Sequence, residues 1–293
     1  MKHLNTPEEI ATFISSMDTF LLDVDGVVFL GTQLIPGVVE ALAHLRSLGK
    51  RIFFVTNNSL KSRTSYVEKF SAKGIHGVAK EEVFSAPYAA ACYLSDIGFP
   101  KEKRVYVMGA DGVVEELREQ GIQACGGMDD KDLAFSGMDD LHRIQPDPSI
   151  GAVLTAFDAH INYPKLAKAH TYLQDPSVLF IATNPDVADP IGTQTFPAAG
   201  SMYQPLIKST GRHPIIVGKP HETMLRVILA KYQLDPTRTC MVGDRLDTDV
   251  LFGQRGGCRT MAVLTGVTTE SMLNQAEVAK RPDYVISSLG LMR

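Results

Sequence analysis

Short, continuous apolar runs alternate along most of this chain with segments whose apolar residues recur every three or four positions. TFLLDV (19–24) and RIFFVT (51–56) are runs of the kind that parallel strands buried on both faces require. Between them Val38, Leu42, Leu45 and Leu48 fall on one helical face, with Pro36 ahead and Gly49 behind, so a strand–helix–strand unit is expected. Further helices are expected at about 61–73, ended by Gly74, and at about 87–97, ended by Gly98.

The last eighty residues repeat the style. HPIIVGK (213–219), RTCMVGD (238–244), RTMAVLTG (259–266) and DYVIS (283–287) read as strands, with helices at about 221–232 and 247–255. Such alternation predicts an α/β fold with a doubly wound parallel sheet. The middle carries strands of its own, RVYVMG (104–109), GAVLTAF (151–157) and VLFIAT (178–183), with helices at about 112–120, 163–173 and 199–209. Residues 125–150 are polar and bear Gly and Pro, which predicts a long loop. The expected organisation is therefore a core domain in two parts, 1–100 and 209–293, with an α/β domain inserted at 101–208.

Composition narrows the class. Of 293 residues 44% are hydrophobic and 21% charged, and the net charge is −4, as in a globular protein and not a disordered or collagen-like one. Lys and Arg are scattered, which argues against a nucleic-acid partner. The longest apolar runs fall short of the roughly 18 residues a membrane helix needs, so no membrane association is expected. The opening MKHLNTPEEIATF lacks the apolar stretch and cleavage site of a secretory signal. Cys92, Cys125, Cys240 and Cys258 are widely spaced with no CxxC pair, the pattern of reduced thiols in a cytoplasmic protein. No Gly-rich nucleotide fingerprint follows a strand, so a dinucleotide cofactor is not expected.

In open parallel sheets ligands gather at the carboxyl ends of the strands. There the sequence places Asp23 and Asp25, then TNNS with Thr56 and Asn57, then Lys219 in GKP, then Asp244, Asp247 and Asp249 in GDRLDTD. Five carboxylates at one sheet edge repel unless a cation neutralises them. Oxygen donors with no histidine or cysteine favour Mg²⁺ over Zn²⁺. Lys219 suits a phosphate and a developing negative charge. His213 and His221 near this lysine read as caps or surface groups, and Asp158 and His160 as polar loop contacts.

DVDGV from Asp23, FVTNN, VGKP, MVGDRLDTDVLFG and VLTGV together resemble the motifs of the haloacid dehalogenase (HAD) superfamily. Within it, the chain is similar to the capped phosphatases of the phosphoglycolate phosphatase, pyridoxal phosphatase and 4-nitrophenylphosphatase group. The resemblance implies a Rossmann-like core, with an α/β cap in the interval from Thr56 to Lys219. It implies Asp23 as nucleophile, forming an aspartyl-phosphate, and Asp25 as general acid and base. Mg²⁺ would be held by Asp23, the Asp25 backbone carbonyl and Asp244, with Asp249 behind them and Asp247 as a further candidate. Thr56, the Asn57 amide and Lys219 would bind the phosphate. The cap loop ATNPDVADPIGTQTFPAAGS (182–201) would choose the substrate, with Asn184 and Asp186 facing it. The implied substrate is a small phosphorylated metabolite such as 2-phosphoglycolate, with 4-nitrophenyl phosphate as an artificial one and pyridoxal 5′-phosphate as the alternative. The family also implies a homodimer joined through the cap. Phe29 stands where many relatives have Trp, and Leu60 where an Arg often follows NNS. The same acids, hydroxyl and lysine would also suit a phospho-acceptor signalling module.

Overall fold

Strands as apolar as Thr19–Leu22 and Thr239–Gly243, buried at every residue, need neighbours on both sides and cover on both faces. A computed structural model describes residues 1–192 and 194–293, with Pro190 and Ile191 described by their backbone, and supplies those neighbours. The chain divides into two compact units: Met1–Thr56, Val67–Phe84 and Lys219–Arg293 form the first, and Asn57–Tyr66 with Ser85–Gly218 the second.

The first unit is built on a seven-stranded sheet. Its order is Lys2–His3, Tyr284–Ile286, Arg259–Val263, Thr239–Gly243, Thr19–Leu22, Arg51–Thr56 and Val83–Ser85. The pairings from the first of these to Arg51–Thr56 are all parallel. Leu22 pairs with Val242 on one side and Phe54 on the other, so three neighbouring strands end within two residues of one level. This register sets Asp244 and Thr56 one residue beyond the level of Asp23. Helices Val38–Ser47 and Glu222–Tyr232 occupy the expected positions. Helix Pro7–Ser16, which the hydrophobic pattern did not predict, starts with a capping box between Thr6 and Glu9.

The second unit has its own parallel sheet of five strands, ordered Ile215–Ile216, Leu179–Ala182, Ile150–Thr155, Arg104–Met108 and Gln123–Gly126. Here the structure corrects one expectation. HPIIVGK is not a strand of the first sheet: Ile215 and Ile216 pair with Ile181 and Ala182 at the edge of the second sheet, and Lys219 begins the return to the first unit. The Val217 and Gly218 amides continue along the same neighbour, donating to Ala182 O at 3.1 Å and Thr183 O at 2.8 Å. Helix Ala86–Asp96 also belongs to the second unit, where it packs on Asp111–Glu119. Residues 125–150 hold the end of strand Gln123–Gly126 and two short helical turns, Gly127–Asp130 and Met138–Arg143. The expected helix at 199–209 is two short ones, Ala199–Met202 and Gln204–Thr210. No helix among the described residues is long and apolar enough to cross a membrane, and all four cysteines are free thiols.

The second unit also buries charge. Lys165 Nζ lies 2.8 Å from Asp158 Oδ2, both side chains are shielded from solvent, and Asp158 Oδ1 accepts from the His160 amide. A buried pair is costly to break from one side, because the remaining charge has lost both water and partner. Lys165→Met is therefore expected to lower the unfolding free energy by about 3–5 kcal/mol in urea titrations. Adding Asp158→Asn, which keeps the acceptor for His160 and removes the stranded charge, is expected to recover part of that loss. A single variant as stable as the native protein would contradict this account.

Candidate active site

The site of the first unit starts where strand Thr19–Leu22 ends. Asp23 is tied to the neighbouring strand by its amide, which donates to Val242 O at 2.9 Å, and its carboxylate is almost wholly buried. Asp244 follows strand Thr239–Gly243, and Asp249 lies in the π-helical turn Leu246–Val250 that follows. One carboxylate oxygen from each of Asp23, Asp244 and Asp249 lies within 4.8 Å of the others. Lys219 Nζ stands among them, 2.7 Å from Asp23 Oδ1, 2.7 Å from Asp249 Oδ1 and 3.0 Å from Val55 O.

Backbone holds these acids in place. The Val267 amide donates to Asp244 Oδ2 at 2.8 Å, and the Arg245 amide to Asp249 Oδ2 at 3.1 Å. Gly26, with φ +87°, turns the chain directly after Asp25; a Cβ there would come within 2.3 Å of Asp244 Oδ2, and one at Gly266 within 1.9 Å. Glycine is required at Gly26 both by the left-handed turn and by the packing of the carboxylate against it.

Asp23 and Asp249 share one ammonium, and Asp244 lies close to both. Burial, then the neighbouring Asp249 and Asp244, pushes the Asp23 carboxyl well above its usual range in spite of Lys219. Asp244 is pushed up to about 6, by burial first and by Asp249 second. Burial alone would lower the Lys219 ammonium, but Asp23 and Asp249 more than reverse this and hold it protonated. The donor set fits a hard divalent cation: oxygen atoms only, close together, short of positive charge.

The remaining candidates fall in three places. Thr56 is buried at the end of strand Arg51–Thr56. Asp25 is exposed beside this cluster, and Asp247 is exposed and bound through both oxygens to Arg245 at 3.0 and 2.8 Å. Asn57, Asn184 and Asp186 come together in the second unit. There Asn57 Nδ2 donates to Asp186 Oδ2 at 2.8 Å, Asn184 Nδ2 donates to Asn57 O at 2.8 Å, and Asn184 Oδ1 accepts from the Asp186 amide at 3.0 Å. In the loop 182–201 that carries the last two, Thr193 lies outside the described residues. His221 starts helix Glu222–Tyr232 with no side-chain cap bond, and burial, then Arg255, lowers its imidazole. The sequence reading missed two contributions. The Val267 amide lies in the quoted VLTGV stretch, but only the fold shows that it reaches Asp244. Lys69 lies 3.9 Å from Asp25 Oδ1, and no pattern along its helix, Arg63–Ala72, marks it.

A buried carboxylate with an exposed one two residues on, a buried lysine and a close group of oxygen donors thus stand at the end of a parallel sheet. The family described as haloacid dehalogenase-like hydrolase matches residues 20–123, and its HAD-hydrolase-like counterpart matches 216–291. Phosphoglycolate phosphatase 2 of Arabidopsis thaliana is 45% identical over 95% of this chain and 93% of its own. The chain belongs to the haloacid dehalogenase-like hydrolases. Among solved structures, the p-nitrophenyl phosphatase of Archaeoglobus fulgidus is 32% identical with a TM-score of 0.80, covering 94% of this chain and 98% of that one. The glycerol phosphate phosphatase of Mycobacterium tuberculosis, solved with magnesium, is 26% identical with a TM-score of 0.81, covering 96% and 78%. Membership of a hydrolase family sets aside the phospho-acceptor module.

Proposed function

We propose that the protein is a Mg²⁺-dependent phosphatase that hydrolyses small phosphate monoesters of the 2-phosphoglycolate kind through an aspartyl-phosphate on Asp23. The observation that carries this reading is Asp23 itself: a buried carboxylate at a strand end, 2.7 Å from Lys219 and grouped with Asp244 and Asp249. Its relatives are named as phosphatases of phosphoglycolate, p-nitrophenyl phosphate and glycerol phosphate, all small monoesters.

Asp23, the Asp25 backbone carbonyl and Asp244 would hold the cation, with Asp249 behind them. When bound, Mg²⁺ would neutralise charge on the acids and on the phosphoryl oxygens. The Asp23 carboxylate attacks phosphorus, and the bond from phosphorus to the ester oxygen breaks. Asp25 gives its proton to the departing alcohol. A water molecule, losing a proton to the Asp25 carboxylate, then attacks the aspartyl-phosphate, so inorganic phosphate leaves and Asp23 is regenerated. Two moderate barriers replace one very high barrier. Thr56 and Lys219 bind phosphoryl oxygens, and the Lys219 ammonium, fixed between Asp23 and Asp249, needs little rearrangement to meet negative charge as it develops.

Phosphate release from a panel of 2-phosphoglycolate, glycerol phosphate, pyridoxal 5′-phosphate and 4-nitrophenyl phosphate tests the reading. Stripping divalent ions with a chelator is expected to lower turnover by about 10²–10³-fold, the equivalent of the several kcal/mol that a Lewis-acid cation supplies. Mg²⁺ added in excess is expected to restore it. Unchanged turnover in the chelated protein would overturn the metal assignment, and no release from any monoester would overturn the activity.

A further inference from the structure

Lys69 belongs to the first unit but to none of the roles described above. Its Nζ lies 3.9 Å from Asp25 Oδ1 and 4.3 Å from the centre of the Phe29 ring. That ring is fully buried and stacks on Phe70 at 5.9 Å, and Phe70 tilts against Phe54 at 4.4 Å. The ammonium thus has a prepared seat, since a cation over an aromatic face is attracted by the ring's quadrupole. Asp25 is tied to the same ring through the backbone: the Gly26 amide donates to Phe29 O at 2.6 Å. One short turn, 25–29, therefore carries both the carboxylate and the face that holds its counter-ion.

We propose that Lys69 is a positioning residue for Asp25, keeping its carboxyl turned to the place from which it serves the leaving oxygen. This rests on the reading of Asp25 as the proton donor. At 3.9 Å the contact is longer than a hydrogen bond, so the ammonium guides the carboxyl group by charge, drawing Oδ1 toward itself and leaving the other oxygen to carry the proton. The Asp25 side chain is half exposed (51%), and an ion pair so placed contributes little to stability. Its consequence belongs to the reaction. A carboxyl group on an open turn samples many rotamers, and general-acid transfer needs one of them.

The test compares kcat/KM, which reports formation of the phosphoenzyme, for two esters. 4-Nitrophenolate leaves without a proton, whereas the alkoxide of 2-phosphoglycolate needs one. Lys69→Met is expected to lower kcat/KM for 2-phosphoglycolate about 10-fold, a fraction of the 10²–10⁴ that general acids provide, and to change that for 4-nitrophenyl phosphate less than about 3-fold. Lys69→Arg is expected to restore most of the loss. In an Asp25→Asn background Lys69→Met is expected to add nothing, because the two residues act through one group. An equal loss with both esters, or a full further loss in the Asp25→Asn background, would overturn the role of Lys69 and leave that of Asp25 standing. Native kcat/KM for 2-phosphoglycolate in Asp25→Asn alone would instead overturn the reading of Asp25, and the inference with it.

Discussion

Asp23→Asn is expected to lower kcat for phosphate release by at least about 10⁴-fold, the scale seen when a covalent nucleophile is removed from a preorganised site. The carboxamide keeps the shape of the side chain and can still accept from Lys219, so little geometry changes. What it lacks is the charge and the attacking oxygen. Destabilisation would not account for the loss: burial and the neighbouring acids already oppose ionisation of Asp23, so removing one of three crowded carboxylates relieves repulsion in the metal-free protein. Two measurements check this. Acid-quenched reactions with labelled substrate are expected to trap label on the native chain and none on the variant, and thermal unfolding is expected to show the variant folded. Native turnover by Asp23→Asn would remove the nucleophile assignment.

The part of this site that was legible in the sequence is the part that strand ends impose. Asp23, Thr56 and Asp244 each close an apolar run, and parallel register then brings them within one residue of the same level. Helix Pro7–Ser16 left a signal of a different kind: Thr6 and Glu9 make up a capping box, with Pro7 in the first turn, visible only when caps are sought before periodicity. HPIIVGK was illegible for a physical reason. Its apolar run fits a buried strand in either sheet, and periodicity carries no information on which sheet edge receives it. Asn57 reads from the sequence as a phosphate ligand and Asn184 and Asp186 as substrate contacts, yet the two hydrogen bonds that join Asn57 to the other two span 127 and 129 residues, which no local pattern encodes. Lys69 is hidden more deeply. On its own helix it reads as an ordinary lysine, and only the fold brings Phe29 and Asp25 to it.

Lys219→Met is expected to produce the second large effect, a fall in kcat/KM of about 10²–10³-fold, the loss typical of one preorganised donor to a developing oxyanion. The methionine fills the space of the buried stem, so packing is largely kept. Charge is not. Asp23 and Asp249 lose a partner at 2.7 Å each, and in the metal-free protein three buried carboxylates are left without an ammonium. Breaking a buried ion pair from one side costs about 3–5 kcal/mol, so urea unfolding in chelator is expected to show a loss of that order. The loss should have a pH signature already present in the native chain. Asp244 binds its proton up to about pH 6 when folded and only to its ordinary 3.8 when unfolded, so the folded state holds more protons between these values. Stability contributed by this site is therefore present below the lower value and declines as pH rises through the upper one. Lys219→Met removes the opposing cation and should steepen that decline, while a divalent ion that replaces the missing charge should flatten it. Unfolding measured at pH 5 and pH 7, with chelator and with Mg²⁺, separates the two roles. If turnover falls but neither stability nor its pH slope changes, Lys219 serves the phosphoryl group alone; if turnover is unchanged, its catalytic role is wrong.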